Sequence, residues 1–148
     1  MKKFAAVMLS CLLIAAVLSG CGASMKDGTY RAEYDAYSHG YKEFVELTVK
    51  DGKFTDVTFN AVSEAGELKT DDVEYQESME SVSGTYPAKF YPELAQKLED
   101  TQDIDKVDKV AGATNSTVSF KTLVKTLLKE NVKNGDSTTL VVESEAEG

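Results

Sequence analysis

The chain of 148 residues carries two cysteines, one histidine, two prolines and no tryptophan. Both cysteines, Cys11 and Cys21, lie near the N-terminus, so the remainder is free of thiol chemistry. That excludes a disulfide framework, a cysteine nucleophile and a thiolate metal centre in the main domain. His39, without cysteines, does not make a zinc site, and no Ser-His-Asp order or phosphate-cradling glycine-rich loop is present. The acidic stretch from Glu64 to Glu80 lacks the spaced ligands of an EF-hand and reads as a solvated face. Long apolar runs are also missing: the longest, Phe4 to Leu18, has fifteen residues. A spanning helix needs ~20.

That run, preceded by Lys2 and Lys3, has the form of a secretory signal over residues 1–20. It ends in Leu18-Ser19-Gly20-Cys21, which resembles the lipobox of bacterial lipoproteins. The resemblance implies cleavage before Cys21, lipidation of its sulfur, and a protein held on the outer face of the cytoplasmic membrane. Stable anchoring takes more than one acyl chain, because one binds only marginally. Residues 21–26 then form a short linker, and residues 27–142 the domain.

Basic charge is scarce. Without the signal, 14 basic residues face 25 acidic ones, a formal charge of −11. Such a surface repels nucleic acid and anionic lipid headgroups. Residues 143–148 are acidic, lack bulky apolar side chains and read as a disordered tail.

What is present is alternation. Tyr30, Ala32, Tyr34 and Ala36 share one face of an extended segment, and Arg31, Glu33 and Asp35 the other, giving a strand with one wet side. After a loop at 37–41, Val45, Leu47 and Val49 form a second apolar row, and Lys50-Asp51-Gly52-Lys53 marks a hairpin. A two-residue loop would set Val49 against Phe54 and Leu47 against Asp56. A three-residue loop with Gly52 left-handed sets Val45 against Val57 and keeps the odd-numbered face apolar, so the bulged turn is expected. Thr70-Asp71-Asp72 looks like a helix start, followed by Tyr75, Met79 and Val82 at helical spacing and a break at Ser83-Gly84-Thr85. Pro92 is expected in the first turn of a helix burying Leu94 and Leu98. Ile104, Val107 and Val110 suggest a short extended piece. A long amphipathic helix at 116–131 should bury Val118, Phe120, Leu123, Val124, Leu127 and Leu128, and 138–142 a last edge strand. Strands followed by helices argue an α+β domain, an antiparallel sheet with helices packed on one face.

The stretch richest in chemistry runs from Asp108 to Thr117: Asp-Lys-Val-Ala-Gly-Ala-Thr-Asn-Ser-Thr. Small residues lead into hydroxyl and amide side chains that open a helix. First-turn N–H groups lack internal partners and sit at the positive end of the helix dipole, a recipe for holding phosphate. Equally simply, Ser116 or Thr117 caps the helix and Gly112 makes a turn.

The stretch resembles the flavinylation motif of the FMN-binding domain family, which reads Asp, two variable residues, Ser or Thr, then Gly-Ala-Thr. Asp108, Gly112, Ala113 and Thr114 match it, and Ala111 stands where Ser or Thr is usual. The likeness extends from Asp27-Gly28-Thr29-Tyr30 through the Val49 to Lys53 hairpin to the motif helix, and is to the small lipoprotein branch. It implies FMN joined by a phosphodiester to Thr114, donated from FAD by a magnesium-dependent flavin transferase. Asn115, Ser116 and Thr117 would supply further contacts to the cofactor. His39, able to donate to ring or phosphate, is an outlying candidate. Tyr30, Tyr34, Tyr37, Tyr41, Tyr86 and Tyr91 offer aromatic faces for the ring.

The function so implied is electron transfer, from a membrane quinone or dehydrogenase to an external acceptor. The protein would be a flavin carrier and a transferase substrate, not an enzyme with a substrate of its own. A non-redox ligand-binding or adhesive lipoprotein is the alternative. The anchoring expectation is open to test: Cys21→Ser should leave the protein unprocessed or released, as read by membrane fractionation and intact mass. Membrane retention and processing like the parent would refute the lipobox.

Overall fold

The computed structural model describes residues 24–145, so the signal and Cys21 lie outside the described residues. Three long strands come first: β1 (Gly28–Tyr34), β2 (Tyr41–Lys50) and β3 (Lys53–Ser63). A 3-10 turn at Lys69–Asp71 precedes α1 (Val73–Ser83), followed by α2 (Pro87–Thr101). A second 3-10 turn at Ile104–Lys106 leads to α3 (Thr114–Leu127), which widens into a π turn over Leu128–Val132 before β4 (Leu140–Val142).

The sheet order is β3-β2-β1-β4. β1, β2 and β3 are antiparallel neighbours, whereas β4 lies parallel to β1, so the sheet is mixed. The reason is the crossover: β3 runs in the same direction as β1, and a chain that returns through helices emerges parallel. The start of the segment expected to be disordered is tied down, with the Ser144 N–H and Oγ both donating to Asp35 Oδ1 at 2.8 Å.

The wet face of the sheet is as the alternation predicts. Arg31 bridges Glu33 and Glu46 at 3.1 and 2.7 Å and lies 3.9 Å over the Phe44 ring, while Lys42 reaches Glu33 at 2.9 Å. The opposite face carries Tyr30, Ala32, Val45, Leu47 and Val49, all buried against α2 and α3. Phe59 is the centre of the contact, with ring centroids 4.6 Å from Tyr91 of α2 and 4.9 Å from Phe120 of α3. Each such pair adds about 0.5–1.5 kcal/mol beyond the area it buries. The exposed edge of β3 is covered by acceptors from α2. Gln102 Oε1 takes the Phe54 N–H and Glu99 Oε1 the Val57 N–H, both at 2.8 Å, which blunts strand addition there.

The hairpin register differs from expectation. The loop is the tight two-residue one, with Asp51 and Gly52 both left-handed (φ 51° and 74°) and Val49 opposite Phe54. The extra residue lies instead in β3: Thr48 pairs with Asp56 and Val49 with Phe54, so Thr55 is bulged. Beyond it Leu47 faces Val57 and Val45 faces Phe59, not Val57. The odd-numbered apolar face is preserved, but by a bulge after the turn and not in it. Phe54 and Val57 are both buried, which two residues of opposite parity achieve only with an inserted residue between them.

Other corrections have local causes. Asp72, not Thr70, caps α1, its Oδ1 accepting the Tyr75 N–H at 2.9 Å. Pro87 opens α2 and Pro92 lies inside it, because Pro87 needs no N–H at the first helical position. Ile104, Val107 and Val110 are buried with a spacing of three through a 3-10 turn, not along a strand. Val118 is 58% exposed, since the start of α3 at Thr114 turns it outward and Thr117 inward.

Gly52 gives a clean test, for a Cβ added there would meet nothing within 4 Å. Gly52→Val should therefore show only the backbone penalty, about 1–2 kcal/mol in urea unfolding, with Gly52→Asn costing less. A neutral valine variant would contradict the turn.

Candidate functional site

Val107 and Val110 anchor the approach to α3 in the core, leaving Asp108 and Lys109 exposed between them. The Ala113 N–H donates to the Val110 carbonyl at 3.0 Å, closing a turn through Ala111 and Gly112. Gly112 has φ +79°, and a Cβ on it would sit 2.5 Å from the Ser83 carbonyl oxygen and 3.0 Å from Thr85 Cγ2. Any side chain there would push the motif off the end of α1.

Ala113 occupies the N-cap position of α3 and is buried, so the cap has no side-chain oxygen. Neither hydroxyl expected to cap the helix does so. Thr117, itself buried, donates to the Ala113 carbonyl at 2.8 Å and accepts the Val110 N–H at 3.3 Å. Ser116 Oγ donates to Glu43 Oε1 at 3.1 Å. Among the described residues, the N–H groups of Thr114, Asn115 and Ser116 therefore meet no acceptor from the chain. Thr114 and Asn115 are exposed. An open, positive helix end with an exposed hydroxyl at its first residue is the result.

Glu43 was not singled out from the sequence, though its position signals it. It continues the odd-numbered row of Val45, Leu47 and Val49, a carboxylate on the core face of β2. The same Oε1 that takes Ser116 also takes the Tyr91 hydroxyl at 2.9 Å. Burial, and next the Glu43 charge, push the Tyr91 phenol well above its ordinary value, so it remains a proton donor. One carboxylate thus ties β2 to both α2 and the start of α3.

Beside Gly112, Thr85 is 4% exposed and its Oγ1 has no hydrogen-bond partner among the described residues. An unmet buried hydroxyl costs about 1–3 kcal/mol. On the other side of Ser83, α1 presents an open groove lined by Tyr75, Ser78, Met79, Val82 and Ser83. Lys69 is buried behind it, its ammonium 4.3 Å from the Tyr75 ring centroid and 5.4 Å from that of Tyr41. Tyr41 donates to Asp72 Oδ2 at 2.6 Å, which raises the phenol to about 12 and lowers the carboxyl. His39 sits apart at an exposed turn, left-handed (φ 52°), with Ser38 Oγ 3.0 Å from its Nδ1. No hydrogen bond among the described residues joins it to the motif.

Comparison with known proteins places this arrangement among relatives. A family model described as the FMN-binding domain matches residues 40–129. The 15 kDa lipoprotein of Treponema pallidum is 34% identical over 132 residues, covering 88% of this chain and 93% of that protein. The crystal structure of the CPE2226 protein of Clostridium perfringens superposes with a TM-score of 0.77 at 36% identity, over 82% of this chain and 99% of that one.

The crowding at Gly112 can be weighed against Gly52, whose φ is nearly the same but whose surroundings are empty. Gly112→Ala should cost about 1–3 kcal/mol more than Gly52→Ala in chemical denaturation, the range for overpacking a tight contact. Equal costs would mean that the Ser83 carbonyl yields freely.

Proposed function

The chain belongs to the FMN-binding domain family, and from that premise we propose that it is a membrane-anchored electron-transfer flavoprotein carrying FMN esterified to Thr114. The observation that carries the reading is the uncapped start of α3. Thr114 is exposed at the first helical residue, and three adjacent N–H groups meet no acceptor among the described residues.

The residues fit the group. The first-turn N–H groups at the positive end of α3 would hold a phosphodiester on Thr114, and the Ala113 side chain brings no oxygen to compete. Attachment from FAD balances simply: the Thr114 oxygen bonds to the FMN phosphorus, the pyrophosphate bridge breaks, AMP leaves and the hydroxyl proton is lost. A flavin transferase with magnesium supplies the site for that step. Asp108 is exposed beside the motif, where a docking enzyme can reach it. Ala111, also exposed, contributes no oxygen to the donor set.

The chemistry supplied by bound FMN is one- or two-electron transfer at its ring, for which the protein provides position and electrostatics. Lipidation at Cys21, in keeping with the relationship to a 15 kDa lipoprotein, would hold the domain on the outer face of the cytoplasmic membrane. There it would take electrons from a membrane quinone or dehydrogenase and deliver them to an external acceptor.

The decisive variant is Thr114→Ala. The side chain is exposed and serves no core position, so the fold should persist while covalent FMN is lost. Thr114→Ser should retain some attachment, because the nucleophilic oxygen remains. Intact mass after co-expression with a flavin transferase gives the answer, as an increment of one FMN minus water. An alanine variant still carrying that increment would exclude Thr114.

A further inference from the structure

α1 is held firmly yet buries none of its residues. Its start is fixed by Asp72, which caps Tyr75 and accepts Tyr41, and Gln76 Nε2 bonds the Lys69 and Asp72 carbonyls at 2.7 and 2.9 Å. Gln76 Oε1 also takes the Ala88 N–H of α2 at 2.9 Å. At the far end the Ser83 carbonyl closes over Gly112. A helix fixed at both ends keeps what it displays in place, and alongside the exposed Glu74, Glu77 and Glu80 it carries an apolar stripe. Tyr75, Met79 and Val82 fall on one stripe at i, i+4 and i+7, and Val82 is 87% exposed.

The geometry points to this groove as the seat of the isoalloxazine ring of an FMN held at Thr114, an assignment that rests on the function proposed above. Three observations select that occupant. The groove borders the attachment point, since Ser83 lines it and also touches Gly112, two residues before Thr114. Its lining suits a flat aromatic ring, with the Tyr75 ring, the Met79 thioether and the Val82 methyls. A cation also lies close to it. Lys69 is buried behind Tyr75, and its ammonium answers the negative charge that a flavin takes up on reduction. A second copy of the chain is a poorer occupant, since two surfaces of formal charge −11 repel.

The test uses the full chain after co-expression with a flavin transferase, alongside Tyr75→Leu and Val82→Asp. Val82 is exposed, so the aspartate costs no core packing. Intact mass reports the linkage, and iodide quenching of flavin fluorescence reports ring exposure on molecules that carry the increment. An ionic strength of about 1 M, where screening acts within about 3 Å, removes the bias of the acidic surface against iodide. The parent should be quenched several-fold less than free FMN, and both variants should move toward the free value. Parent quenching equal to that of free FMN, or variants that leave it unchanged, would overturn the placement. So would a loss of self-association in Val82→Asp on gel filtration without a change in quenching. If the parent carries no increment, the linkage fails and the groove is judged by titration with free FMN. Several-fold weaker binding by both variants would then support it, and unchanged affinity or no binding would overturn it.

Discussion

The contact between Gly112 and the Ser83 carbonyl governs the geometry of everything nearby. It admits no Cβ, and the chain turns left-handed there and enters α3 with Ala113 packed into the core. A buried alanine at the cap has no oxygen to offer, and the hydroxyls that follow are committed elsewhere, Thr117 to Ala113 and Val110, and Ser116 to Glu43. Supplying a serine or aspartate cap would stabilise a helix by about 1 kcal/mol. The sequence forgoes that stabilisation and leaves a positive, donor-rich end facing solvent. A helix start so arranged is weaker as structure and better as an anion site.

The same start is held rigid from beneath. Glu43 reaches up from the core face of β2 and accepts from Ser116 and Tyr91 through one oxygen. Removing either donor would leave a carboxylate short of a partner in partly buried surroundings, a loss larger than the mean worth of one hydrogen bond. The link makes the position of the first turn a property of the sheet and not of the loop alone. Precision at a cofactor site depends on such support.

Much of the architecture was legible because it follows parity. Tyr30, Ala32, Val45, Leu47 and Val49 mark the inner face directly, and the arrangement of helices on one side follows from them. Where reading failed, a tertiary choice decided between locally equivalent options. Gly52 turns left-handed as expected, but the extra residue could sit in the turn or after it, and only the pairing of Phe54 and Val57 on one face selects Thr55. Thr70 and Asp72 are both competent caps, and Tyr41 chooses the second. The motif was legible as a helix start, whereas its supports were not. Ser83 and Thr85 belong to a segment that reads only as a break, and Glu43 shows itself only once its parity with Val45 is noticed.

The form of the site also bears on how a cofactor would be kept. The groove on α1 is open to solvent and lies on a helix none of whose residues is fully buried, Met79 alone of its lining being packed in part against the core. An open apolar surface of that kind encloses too little of a ring to retain it by burial alone, since pockets that hold small molecules cover most of their surface. A covalent tether changes the balance. Fixing one end of the molecule at Thr114 turns ring docking into an intramolecular event with an effective concentration of order mM for a short flexible link. Weak contacts with Tyr75, Met79 and Val82 would then suffice to orient the ring, while its outer edge would remain accessible to a redox partner. An enclosed pocket would hold FMN without a bond to the protein but would also shield it from exchange. Attachment through Thr114 and an open groove on α1 would thus be two parts of one solution to carrying a flavin where free FMN would diffuse away.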